Sequence, residues 1–151
     1  MKWILAVGGL LLAATFCVSQ TSPATAGAED YSGMYSFVHE GEFVQVTVED
    51  AGKVAGFISR FGDSEGDKGA FLNQFFKEGK LDGSELSFTT ETVHAVWFDF
   101  KGKVSRGKGK THAEEAYYVI KGNLIEYRTD VDKKVSTKNS EVSLESFPQS
   151  P

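Results

Sequence analysis

The chain of 151 residues contains a single cysteine, Cys17, and that cysteine lies in an apolar N-terminal run rather than in the body of the protein. A body without thiols has no disulfide, no thiolate metal site, no cysteine nucleophile and no thiol redox chemistry. Catalytic signatures are missing as well. The sequence has no nucleophile elbow, no phosphate-binding glycine loop and no zinc helix, and its three histidines, His39, His94 and His112, follow no metal-ligand spacing. A net charge of -5 argues against nucleic acid as a partner. The apolar run near the N-terminus is shorter than the ~20 residues of a spanning helix and is broken by Gly8 and Gly9, so a retained membrane anchor is not expected.

That run has the layout of a secretory leader. Lys2 precedes the apolar stretch 3–18, and the small residues Ala24, Ala26 and Ala28 follow it. We expect a signal peptide over residues 1–26, a single domain over residues 27–151, and a secreted or periplasmic protein that no longer touches the membrane after cleavage. Cys17 is preceded by Phe16, where lipid attachment requires a small residue. A disulfide-free domain of this size must be held by its core, which is feasible.

From Tyr31 onward, short segments rich in Val, Ile, Phe, Tyr and Thr alternate with glycine-containing turns, the pattern of antiparallel strands. Strands are expected over 33–38, 42–49, 54–60, 85–91, 93–105, 116–121, 124–129 and 141–147. The fold class is all-β, an up-and-down meander barrel of about eight strands. The segments AGKVAG, EGKLDG, KGKVSRG and KGNLIE repeat the same turn chemistry at irregular spacing. Gly122-Asn123 suits a two-residue type II′ turn, and that hairpin would place Tyr118, Ile120, Ile125 and Tyr127 on one apolar face. In the segment 70–77, Phe71, Leu72, Phe75 and Phe76 recur at four-residue spacing, which predicts a short helix plugging one end of the barrel. A buried bulged strand is the alternative.

Three stretches are candidates for function. Asp63, Glu65 and Asp67 alternate in the loop GDSEGDKG as calcium ligands do. An EF-hand, however, requires glycine and glutamate where Lys68 and Gln74 stand. A loose calcium site with Kd near ~10⁻⁴ to 10⁻³ M or a plain solvated loop are both open. Along 93–106, a strand bent at Gly102 would point His94, Val96, Phe98, Phe100, Val104 and Arg106 to one side, with His94 and Arg106 at the two ends of an aromatic wall. The run 101–110 carries five cations and no acid. It lacks the aromatics that stack on bases, so a solvated strand end is its simpler reading.

The order of features resembles the calycin-type barrels, the lipocalins and avidins. Gly33-Met34-Tyr35 stands where those families carry Gly-x-Trp at the start of the first strand. The resemblance implies a meander barrel with a small-molecule site in its interior. Tyr35 replaces the tryptophan, and Trp97 is the only tryptophan after the leader, so the several tryptophans of a biotin pocket have no counterparts. The leading expectation is a non-enzymatic barrel binding a small apolar or amphipathic ligand, with Arg60, His94, Phe98, Phe100, Arg106, Tyr118 and Tyr127 as ligand contacts. An isomerase or hydrolase using His94, and an envelope interaction module, are the alternatives.

Overall fold

A computed structural model describes residues 29–150; the leader expected over 1–26 lies outside the described residues. Eight strands follow in chain order: β1 (Gly33–Ser36), β2 (Phe43–Val48), β3 (Val54–Phe61), β4 (Phe71–Asp82), β5 (Glu85–Thr90), β6 (Val96–Arg106), β7 (Tyr118–Thr129) and β8 (Val135–Glu145). Each pairs antiparallel with the next, giving one sheet in sequential order. The meander curls into a half-barrel. Its outer strands meet at the bridge between Tyr35 and Ser146, beside the hydrogen bond from Phe147 N to Met34 O. β1 ends at Ser36, whereas β8 begins at Val135, so residues 135–142 run past β1 and leave the wall open on one side.

The expected helix over 70–77 is absent, and the only helical turn among the described residues is the 3₁₀ turn Asp50–Gly52. Those residues are the first half of β4. Leu72, Gln74 and Phe76 face inward, whereas Phe71 and Phe75 are 52% and 54% exposed on the outer face. Aromatics on both faces of a strand produce the same i, i+4 pairs as a helix, and pairing of β4 with both β3 and β5 decides the outcome. Phe57 also lies outside, in an aromatic row with Phe43 and Phe75.

Nor is there a turn at Gly122-Asn123. β7 runs through both residues, and Gly122 is paired with Gly102 of β6 and Val142 of β8. The consequence is a change of face. In a continuous strand, residues an odd number apart point to opposite sides. Ile125 and Tyr127 therefore face outward, Tyr127 stacking on Trp97 at 5.0 Å, and Leu124, Glu126 and Arg128 face the interior. The glycine pair has a packing role. A Cβ on Gly102 would lie 2.5 Å from the tip of the Phe100 ring, and one on Gly122 would lie 2.8 Å from it. The Phe100 ring rests on this bare backbone and continues the stack Phe76, Phe88, Phe100, which fills the middle of the barrel.

The end where β8 returns to β1 is closed by aromatics. Tyr35 is fully buried and donates its hydroxyl to Tyr31 O at 2.7 Å, and burial pushes its ionisation up. Tyr31 meets Tyr118 edge-on, while the Arg106 guanidinium sits 4.0 Å from the Tyr117 ring and bonds Glu29 at 2.7 Å. A Cβ at Gly122 would also meet the Lys101 carbonyl oxygen at 2.3 Å and Gly102 Cα at 2.5 Å, so replacing Gly122 with valine forces both the facing β6 backbone and the Phe100 stack to move, at a cost of about 1–3 kcal/mol. We expect the melting temperature of Gly122→Val to fall by several degrees in a thermal unfolding scan; an unchanged value would contradict this packing.

Candidate functional site

The opposite end of the barrel is not filled. A cavity of about 310 Å³ opens there, bounded by the β1–β2 turn, the end of β3, the start of β6 and the facing halves of β7 and β8. Its floor is apolar. Phe37, Val96, Phe98 and Leu124 are all buried, with Phe37 and Phe98 meeting edge-on at 5.7 Å. Its walls carry charge of both signs, from Glu42, Arg60, Asp63, Glu126, Arg128 and Lys138.

Local structure fixes each of these groups. Arg60 is on the inward face of β3 and only 5% exposed. Its Nε donates to Gln74 Oε1 at 2.9 Å, Nη1 to Phe61 O at 3.3 Å and Nη2 to Val93 O at 3.4 Å, and its guanidinium lies 5.9 Å from the Phe98 ring. Gln74 is completely buried, and its amide donates to Thr90 Oγ1, Glu91 O and Val96 O. Glu42, also 5% exposed, accepts from His39 N at 3.1 Å and Phe61 N at 3.0 Å and so ties the β1–β2 turn to the end of β3. Arg128 gathers two acids. It bonds Asp63 through both terminal nitrogens and Glu126 at 2.9 Å. The hydrogen bond from Arg128 holds the Asp63 carboxyl below its ordinary value, and the same contact raises Arg128.

The acidic loop 62–69 is ordered by its own carboxylates. Asp67 Oδ1 accepts from Ser64 N at 2.8 Å and from the Ser64 hydroxyl, and its other oxygen meets His94 Nδ1. Asp63 is turned to Arg128, and Glu65 is exposed. No three His, Cys, Asp or Glu side chains among the described residues are grouped to hold a metal ion.

His94 is placed differently from its expected position in a strand. β6 starts at Val96, and His94 and Ala95 form a tight turn with φ of 48° and 63°, closed by Val93 N to Val96 O at 2.9 Å and Val96 N to Val93 O at 3.1 Å. Two positive φ values are the signature of a type I′ turn, which ordinarily takes Asn-Gly. With non-glycine residues it stores strain of about 1–2 kcal/mol per residue. His94 does not line the cavity, although it pins the acidic loop at the rim. Of the other expected ligand contacts, Arg60 and Phe98 line it. Phe100 belongs to the packed middle, Arg106 and Tyr118 to the closed end, and Tyr127 to the outer face. Glu42, Glu126, Arg128 and Lys138 were not legible as cavity residues. For Glu126 and Arg128 the signal existed in their strand parity, and the assumed turn at Gly122 inverted it.

The hydrogen bond to His94, followed by that from Ser64, lowers the Asp67 pKa from 3.8 to about 2. A group depressed on folding stabilises the fold above its unfolded pKa and loses that contribution as pH falls through its folded value. In melting scans from pH 5 down to pH 2, the wild type should lose stability between about pH 4 and pH 2 more steeply than Asp67→Asn, to an extent that solvent screening moderates. Parallel curves for the two proteins would contradict the loop tie.

Comparison with known proteins locates the fold. No family model and no curated protein matches the chain. Among solved structures it is similar to rhizavidin, with a TM-score of 0.58 and 11% identity over 80% of this chain and 84% of that chain. It is likewise similar to the rhizavidin-biotin complex, with a TM-score of 0.58 and 11% identity over 81% of this chain and 97% of that one. The chain has the avidin-like, calycin-type antiparallel β-barrel fold.

Proposed function

We propose that this protein is a secreted or periplasmic, non-enzymatic barrel that binds a small apolar or amphipathic molecule at its open end. The observation that carries the reading is the cavity of about 310 Å³, apolar at its floor and charged at its walls, beside a packed cluster of buried aromatic and aliphatic side chains. Pockets for small molecules have this character: an apolar lining with a few polar groups fixed in place to orient the ligand. The wall groups are held by a dense set of hydrogen bonds before any ligand arrives, so little ordering remains at the moment of binding. Similarity to the rhizavidin-biotin complex supports a binding role through the fold.

A catalytic role for His94 has less support. His94 has an acid partner in Asp67, yet it lies on the rim turn and not along the cavity, so it has no reacting atom of a bound molecule beside it.

Ser140, on the half of β8 that runs past β1, lines the cavity without belonging to the packed core. Ser140→Trp should fill the site while leaving the fold intact. In a thermal-shift screen of fatty acids, fatty alcohols and small aromatics, we expect a subset to raise the wild-type melting temperature. A ligand at one hundred times its Kd adds about 2.7 kcal/mol of stability. Ser140→Trp should abolish the shifts. No shift with any compound, or shifts that persist in Ser140→Trp, would contradict the proposal.

A further inference from the structure

Arg60 is a buried cation without a counter-ion. Its side chain is enclosed on the inner face of β3, and none of the ion pairs among the described residues includes it. A guanidinium carries five N–H groups. Three hydrogen bonds hold this one, all to neutral oxygens, and the two made by its terminal nitrogens are long, at 3.3 and 3.4 Å. Two N–H groups at the forked end are left without an acceptor in a residue that lines the cavity. Enclosing an unpaired charge is costly, and the cost is offset when an anion joins it.

The acids around the mouth do not supply that anion. Asp63 and Glu126 both converge on Arg128. Asp63 is still near enough for the Arg60 charge to contribute, weakly, to its lowered pKa. Glu42 directs its two carboxylate oxygens at the backbone N–H groups of His39 and Phe61. Across the cavity, Lys138 of β8 adds a second cation that no carboxylate holds among the described residues. The lining therefore combines an apolar floor with a fixed, planar, doubly donating cation whose own framework partners are neutral.

Resting on the binding role proposed above, we infer that the ligand of this cavity is an amphipathic anion, whose carboxylate or phosphate group is held by the terminal nitrogens of Arg60 while its apolar part lies against Phe37, Phe98 and Leu124. The guanidinium fork matches the two oxygens of such a group, and a charge-assisted bidentate pair is about twice as strong as a neutral hydrogen bond. The bond from Nε to Gln74 fixes the plane of the fork, so the arginine presents its free edge without first having to be ordered.

The test uses octanoate, octanol and octyl phosphate as probes in isothermal titration of the wild type, Arg60→Met, Arg60→Lys, Lys138→Met and Ser140→Trp. We expect octanoate or octyl phosphate to bind the wild type about tenfold or more tightly than octanol, the range of one charged hydrogen-bonded pair. The tighter of the two anions identifies the head group. Arg60→Met should erase the preference and Arg60→Lys should keep part of it. Lys138→Met should alter it by no more than about twofold, since an exposed charge is screened. The wild-type comparison of anion with alcohol needs no variant and holds even if Arg60→Met fails to fold. Equal binding of all three probes by the wild type, lost in Ser140→Trp, would overturn the anionic ligand and leave the binding site standing. A preference that survives in a folded Arg60→Met would also overturn it. Absence of binding by the wild type, or binding unaffected by Ser140→Trp, would overturn both.

Discussion

The hydrogen bond between Arg60 and Gln74 organises the open end of this barrel. Gln74 is an uncharged polar residue with no exposed surface, on a strand whose neighbouring inward positions are apolar. It is tolerable there because both its oxygen and its amide nitrogen are hydrogen-bonded. Its oxygen takes Arg60 of β3, and its amide reaches Thr90 of β5 and the carbonyls of Glu91 and Val96. Thr90 in turn accepts from Phe98 N at 3.0 Å. One carboxamide thus links β3, β4, β5 and β6 at the level of the cavity floor. Truncating it would leave several buried groups unpaired, each at a cost of about 1–3 kcal/mol, so the network is held as a unit.

The rest of the barrel divides around that network. Toward the end where β8 meets β1, the interior is solid: Phe76, Phe88 and Phe100 stack in sequence over the facing glycines of β6 and β7, and a cluster of tyrosines with Arg106 closes the base. Toward the other end, polar side chains replace aromatic ones. Arg60, Gln74, Glu42, Glu126 and Arg128 occupy inward positions where a packed barrel would carry hydrophobic residues. These polar side chains keep this end from collapsing, because each is anchored to backbone or to a fixed partner and cannot fold into the space beside it. The short β1 and the long β8 complete the opening, since residues 135–142 pair with β7 on one side and run past the end of β1 on the other. A cavity therefore arises where the core ends, built from the same strands that form it.

Much of the architecture was legible in the sequence because strand alternation is a direct imprint of a two-sided sheet. Six of the expected strands are present with ends shifted by a few residues, although the one read over 141–147 is the latter part of a strand that begins at Val135. The resemblance carried by Gly33-Met34-Tyr35 agrees with the avidin-like fold. The errors have a common cause, which is that local chemistry was overruled by pairing with both neighbours. Gly122-Asn123 has the composition of a tight turn, but at Gly122 the β6 backbone of Lys101 and Gly102 and the Phe100 ring together occupy the place of a side chain. Phe71, Leu72, Phe75 and Phe76 have helical spacing, but β3 and β5 claim their backbone. The site was only partly legible for the same reason: losing the turn moves Glu126 and Arg128 inside and Tyr127 outside. Gln74 shows how far pairing can redirect a reading. It stood as the wrong residue for the last ligand of a calcium loop, and it is the buried hub of the mouth.

On the proposal made above, the space above Phe98 is a binding site whose fixed cation is Arg60. The most direct measurement is a crystal structure of the protein soaked with 8-bromooctanoate, with bromine located by anomalous scattering. A bromine peak is expected beside Phe37, Phe98 and Leu124, with the carboxylate on the terminal nitrogens of Arg60. Bromine found only on the outer aromatic row of β2, β3 and β4, with the cavity unchanged, would contradict it.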